Sequence, residues 1–308
     1  MNKIVIIADS AIDFRRDLRE EFCIADYVHG VITRPDGTQF LADNDWENIT
    51  PEEYFTSMNK GKILYKTATS TMAETIEVFE KHLQKGEDII AVSIGTAFSG
   101  MYNLFNVVKN QLQDKYPNNK MVVVDSTRYS GALGLLCIKA SESIKAGKDI
   151  ETIEKEMNEL KTKIHQMGPL DDLYFLNKGG RISKPIAVMG TLVGIRPLAD
   201  FLPNGFANVL GKTKGENKAI EISAEYVKEM IRDKSVIVIA DSNRAKEADY
   251  YESVLKSYVN PDRIIRTSVG QLSGANIGPG LVSCFFIGDP ITEDGAAEKA
   301  VLTKIIEK

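Results

Sequence analysis

Cysteine, histidine and tryptophan are scarce in this chain of 308 residues, which holds three Cys, three His and one Trp. Cys23, Cys137 and Cys284 share no CxxC spacing, and an odd number of scattered thiols argues against a disulfide framework. His29, His82 and His165 fall in no HExxH or Cys/His zinc pattern, so the sequence predicts no metal site and no cofactor. Long apolar runs are also missing. The run at residues 4–8 is far shorter than the ~18 residues needed to span a bilayer, and too short for a signal-peptide core. Stable membrane insertion is therefore not expected, and the cytoplasm is the expected compartment. Nor is there excess positive charge: 38 Lys and Arg oppose 43 Asp and Glu, a net charge of −5, which argues against a nucleic-acid binder.

What remains is an ordinary globular composition, 43% hydrophobic and 26% charged. At roughly 150 residues per domain, the length suggests two modest domains. The first half alternates Ile/Val-rich runs, at 4–8, 89–94 and 121–124, with amphipathic patterns, which predicts an α/β domain built on a mostly parallel sheet. Thr50-Pro51-Glu52-Glu53 and Thr71-Met72-Ala73-Glu74 read as capping boxes. The second leads a predicted core stripe of Met72, Ile76, Phe79 and Leu83, with His82 at the surface or an edge. Asp149 caps a predicted helix with the buried stripe Ile153, Met157, Leu160 and Ile164. Gly and Pro recur densely after Met167, which places a domain boundary near residue 165: an N-terminal domain at 1–165 and a smaller α/β sandwich at 166–308. The second half shows helices over 218–231 and 245–258, strands over 236–240, 264–269 and 281–287, and a last helix over 296–306 that could pack back on the first domain. Three strands end in Asp-Ser, at Asp9-Ser10, Asp125-Ser126 and Asp241-Ser242, a dipeptide suited to the turn after a parallel strand and to capping the helix that follows.

With so little His and Cys, the chemistry must come from Ser, Thr, Gly and Asn. Thr67-Ala68-Thr69-Ser70-Thr71 is a hydroxyl cluster feeding a helix. Gly95 to Tyr102 forms a strand–loop–helix junction, where backbone N–H groups and Ser99 face an incoming anion. Leu176 to Ser183 contains Gly179-Gly180-Arg181, either an anion nest or a braced bend. Gly274 to Gly280 is a Gly-rich loop carrying Asn276. Gly205 and Gly211-Lys212-Thr213 imitate a P-loop, but their spacing and their Pro-Asn-Gly turn reject that reading. A nucleophile elbow is absent around Ser99, and no histidine stands in a triad order.

These segments, in this order, resemble the DegV family of fatty-acid-binding proteins, which includes the acyl-carrying FakB subunit of bacterial fatty acid kinase. The resemblance rests on Leu176 to Ser183, Val193-Gly194-Ile195-Arg196-Pro197-Leu198, Ser99-Gly100-Met101-Tyr102 and Gly278-Pro279-Gly280. It implies a two-domain α/β fold with a ligand tunnel between the domains, a bound C16–C18 fatty acid, and a non-enzymatic carrier that presents the carboxylate to a kinase catalytic subunit for acyl-phosphate formation and phospholipid synthesis. Contact with membranes would be transient. By the same resemblance, Thr67, Ser99, Gly100 and Asn276 bind the carboxylate, Asn276 standing where the family often has His. Thr69, Arg181, Met189, Ile195 and Lys214 become tunnel or partner contacts, Lys214 standing where the family commonly has Arg. Ile186, Val193, Leu198 and Phe201 complete the expected apolar lining. Two alternatives stand beside this reading: an acyl hydrolase or transferase using Ser99, and a phosphate or nucleotide sensor built on Gly179-Gly180-Arg181 and residues 212–214.

Overall fold

The computed structural model describes residues 2–59, 63–171, 173–180 and 194–308. The Ile/Val-rich runs of the first half form a four-stranded, wholly parallel sheet in the order Ile24–Val28, Ile4–Asp9, Asp88–Ser93, Met121–Asp125. Helices Met72–Leu83, Met101–Gln113 and Ile150–Leu160 pack on it. A three-stranded antiparallel sheet stands apart, with Val31–Thr33 between Gln39–Leu41 and Lys66–Ala68. In the second half, Ile264–Ser268, Asp233–Asp241, Val282–Ile287 and Ile164–Met167 form a mixed sheet with one parallel and two antiparallel pairings. A hairpin of Ile195–Phe201 and Ala207–Lys214 lies beside it.

Several expectations need correction. Ile164 does not continue the helical stripe: the helix ends at Leu160 and Ile164 opens a strand of the second sheet. Met72 is exposed, because the buried face of its helix runs through Thr75, Phe79 and Leu83. His82 is buried, its Nδ1 2.7 Å from Glu87 Oε2. The last helix, Ala296–Ile306, sets Leu302 and Ile305 into the second core, against Glu216–Met230 and the hairpin, and not on the first domain. The Thr50 box forms in both directions. At Thr71 only half forms, because Glu74 turns its carboxylate to His29 and Ser70. Of the three Asp-Ser pairs, Asp9 caps the short 3-10 turn Ser10–Ile12 and also receives Ile94 N. Asp125 reaches across to Thr96, and Asp241 receives Arg244 N at the start of helix Ala245–Tyr258.

The helix Ser130–Lys145 is buried on nearly every side, as a helix wedged between two layers must be. It packs on strands of both sheets. Phe285, Val238 and Ala240 of the second sheet share one continuous core with the first, whereas Ile237, Ile239, Cys284 and Phe286, on the opposite face, belong to a second core under the outer helices. Two glycines make this possible. A Cβ at Gly131 would stand 2.6 Å from Phe285 and 2.7 Å from Val238, and one at Gly134 would run into the ring of the fully buried Phe14.

Behind the second sheet, His165 and Asp200 form a wholly buried pair, Nδ1 to Oδ2 2.6 Å. The other ring nitrogen donates to the Asp289 carbonyl at 2.8 Å, so both face acceptors and the imidazole is cationic. Asp200 also receives Gln166 N, Phe201 N and the Tyr226 hydroxyl. Burial alone would lower the His165 value; the Asp200 carboxylate and the Asp289 carbonyl outweigh it and hold it above the ordinary 6.5. Its stabilising effect is complete below 6.5 and is lost as pH rises through the raised folded value. Burial also pushes Asp9 up to about 6 and Asp13 up to about 7. Ionising those two carboxylates costs stability over the range between the ordinary 3.8 and their raised values, so both effects run the same way.

Two outcomes are expected. Gly134→Ala should lower stability in urea unfolding by about 1–3 kcal/mol, because overpacking against Phe14 outweighs the ~1 kcal/mol that Ala ordinarily gains in a helix; a stabilised variant would show that the layer can part. The urea midpoint should fall as pH rises from about 4 to 7, while Asp9 and Asp13 ionise, and further above 6.5, where His165→Gln should flatten the decline.

Candidate functional site

The loop that carries Thr67 and Thr69 is held at both ends. Thr67 sits in strand Lys66–Ala68, paired with Ile32, and Thr71 caps the next helix. Between them the buried Ser70 donates to Glu74 Oε2 at 2.7 Å, while Glu74 Oε1 takes His29 N and faces His29 Nδ1 at 2.7 Å. Burial would raise the Glu74 value, but the bonds from His29 and Ser70 prevail and keep it low, so the clamp is anionic.

Ser99 and Gly100 stand at the junction between strand Asp88–Ser93 and helix Met101–Gln113. The turn is closed by Phe98 N donating to Gly95 O and by Thr96 Oγ1 donating to Asp125 Oδ2 at 2.8 Å. Gly100 is the N-cap and offers no side-chain cap; Ser99 Oγ accepts from Met101 N at 3.3 Å, leaving the hydroxyl proton free to donate outward. Asn276 lies on helix Gln271–Ile277, which packs against strand Lys66–Ala68. Its Nδ2 donates to Thr67 Oγ1 at 3.2 Å. That bond uses a lone pair of Thr67 and polarises its O–H, making Thr67 a better donor to a third group.

Thr67, Thr69, Ser99, Gly100 and Asn276 together line one cavity of about 140 Å³. Phe98, Met101, Tyr129, Leu176 and Ile277 supply its apolar wall. Tyr129, Leu176, Ala207 and Ile277 also border a second, more enclosed cavity of about 40 Å³, which continues between the second sheet and the hairpin. Its wall is chiefly small or aliphatic, including Gly168, Leu170, Pro197, Ala199 and Leu281. The hydroxyl-bearing end is half-buried and open at Gly100, whereas strand Ile164–Met167 and residues 168–170 that follow it at the other end are buried. An amphiphile is thus matched end for end: polar donors at the mouth and hydrocarbon surface within.

The structure does not bring every predicted residue to this space. Ile195 and Lys214 are register partners at the far end of the hairpin, Lys214 exposed, and neither borders either of these two cavities. Leu198 points to the second core, because Pro197 and Ala199 take the cavity face of that strand. Phe201 is buried against Tyr129 and Arg128, outside the lining. Arg181, Met189, Ile186 and Val193 lie outside the described residues. Sequence reading missed Tyr129, whose hydroxyl donates to Gln166 Oε1 at 2.8 Å and whose ring meets Phe98 edge-on at 5.4 Å. It also missed Ser273, which borders the first cavity and donates to Asp13 at 3.0 Å. The Pro203-Asn204-Gly205 turn could have revealed the hairpin, but nothing local marks Tyr129.

The chain belongs to the DegV family: the family model described as "Uncharacterised protein, DegV family" matches residues 3–289. A DegV domain-containing protein of Clostridium perfringens is 28% identical over 291 residues, which cover 94% of this chain and 99% of that one. Two solved structures share the fold at 21% identity. One is a stearic acid-binding protein from Eubacterium ventriosum, with TM-score 0.81, covering 94% of this chain and 98% of its own. The other is the Streptococcus pneumoniae fatty acid kinase B3 protein loaded with linoleic acid, with TM-score 0.79, covering 94% and 100%. The fold is thus the α/β arrangement of DegV structures, with helices flanking a mostly parallel first sheet. Among the described residues, no helix is long and apolar enough to cross a membrane, and no His/Cys/Asp/Glu group could hold a metal.

Proposed function

We propose that this protein is a carrier that binds one long-chain fatty acid of the C16–C18 type and has no catalytic role of its own. The observation that carries the reading is the pair of adjoining cavities, hydroxyl-lined and open at one end, apolar and enclosed at the other. Thr67, Ser99 and the N–H groups at Ser99–Gly100 receive the carboxylate, with Asn276 orienting Thr67. A sixteen-carbon chain buried at ~0.8 kcal/mol per methylene gains on the order of 12 kcal/mol gross, and the donors offset the several kcal/mol of carboxylate desolvation. The fatty acids named for the E. ventriosum and S. pneumoniae proteins support the same ligand class. The two units, divided near residue 165, form the tunnel between them. The loaded protein works in the cytoplasm with transient membrane contact, and presents the carboxylate to a kinase catalytic subunit for acyl-phosphate formation and phospholipid synthesis. Lys214, exposed at the end of the hairpin, is the proposed partner contact.

Among the described residues, the hydrolase alternative finds no histidine base at the first cavity. Each histidine is paired with a carboxylate, His29 with Glu74, His82 with Glu87 and His165 with Asp200, and none borders the first cavity.

Native mass spectrometry of protein purified from cells should show one bound fatty acid. Thr67→Ala and Ser99→Ala should each weaken stearate binding by about 1–3 kcal/mol, the cost of an unmet bond to a buried charge. Folded protein that arrives empty and takes up no labelled stearate or oleate would overturn the reading. Unchanged affinity in both variants would move the carboxylate elsewhere.

A further inference from the structure

The second cavity is not uniformly apolar. Along strand Ile164–Met167, side chains alternate: His165 and Met167 turn to the outer face, and Gln166 and the following Gly168 line the cavity. On the neighbouring strand, Ser283 lines the cavity while Val282 and Cys284 enter the second core. Among the described residues, Tyr129, Gln166 and Ser283 are the three polar side chains in a lining otherwise made of Gly, Ala, Pro, Val, Leu and Ile. Tyr129 occupies only the Gln166 carboxamide oxygen. Among the described residues no protein group takes up the Gln166 NH₂ or the Ser283 hydroxyl, although Gln166 and Ser283 are 4% and 2% exposed. A hydrocarbon chain laid against these groups would leave two donors dry, which a site for plain fatty acid gains nothing by keeping.

We infer that the second cavity selects an acyl chain carrying a hydroxyl part-way along its length, which makes a hydroxy fatty acid the ligand class. The inference rests on the fatty-acid reading above. The chain hydroxyl accepts from the Gln166 NH₂ and from the Ser283 hydroxyl with its two lone pairs and donates its own proton to the Tyr129 oxygen, so that both unpaired donors in the wall are met. A site built to bond a hydroxyl discriminates against the analogue that lacks one, because its own buried polar groups are then left unpaired.

The test is competitive binding of stearate and of the monohydroxystearic acids, the hydroxyl taken through successive positions along the chain. One position, or two adjacent ones, should bind at least about tenfold more tightly than stearate. Gln166→Leu should invert that preference, raising stearate affinity while lowering that of the favoured isomer. A merely structural defect would weaken both together. Tyr129→Phe with Gln166→Leu removes both partners of the internal bond and should give the same inversion should the single variant fold poorly. Stearate binding as tightly as every hydroxy isomer, or a parallel loss of both ligands in the variants, would overturn this inference while leaving the carrier reading intact. If neither stearate nor any hydroxystearate binds, the carrier reading falls and takes this one with it.

Discussion

The fold depends on one contact layer, the helix Ser130–Lys145 pressed between two sheets. It brings the first sheet and one face of the second into a single core, so the two halves are joined by close packing and not merely by a linker. Such packing admits no extra methyl group at its tightest points, which is why glycine stands at 131 and 134 in a helix that would otherwise favour alanine. The inner end of the cavity is built from residues on or beside this layer. Tyr129, which borders both cavities, immediately precedes the helix. Gln166 and Ser283 sit on strands of the sheet against which it packs.

The polar end is organised by a different rule. Among the described residues no histidine or metal ligand set borders the first cavity; its polar lining is the short side chains of Thr67, Thr69, Ser99, Ser273 and Asn276 beside a helix start. Ser99 and Thr67 each have one acceptor function already engaged, by Met101 N and by Asn276, and so keep the proton for an outside acceptor. Asn276 is a fixed donor that does not titrate, so this part of the site keeps its hydrogen bonding across the physiological pH range.

How much of this was legible in the sequence follows from the range of the interactions. Three strands of the first sheet, the Thr50 box and helices such as Met72–Leu83 and Ala245–Tyr258 are written in local periodicity and were readable. Strand Ile24–Val28 and the helix Ser130–Lys145, buried on nearly every side, show no such stripe and were missed. Thr67, Ser99 and Asn276 were readable as motifs, but their meeting required strand Lys66–Ala68 and helix Gln271–Ile277 to be neighbours, contacts separated by some two hundred residues. The short strands Val31–Thr33, Gln39–Leu41 and Lys66–Ala68 are too brief to show a pattern. Ile164 extended a helical stripe perfectly well in sequence, and only pairing with Ile287 makes it a strand. Met72 and Leu198 failed for a common reason: hydrophobicity names a side chain that wants burial, whereas the element's neighbours decide which face receives it.

The adjacency of Tyr129 to the central helix has a consequence for the life of the molecule. A guest that braces Tyr129 braces the residue from which the shared core departs, and any ligand held only by the folded chain deepens the native well by mass action. Filled molecules would then resist proteases and heat longer than empty ones. Turnover of the protein would then track the supply of whatever guest the cavity takes, and abundance would record how much of it had been available.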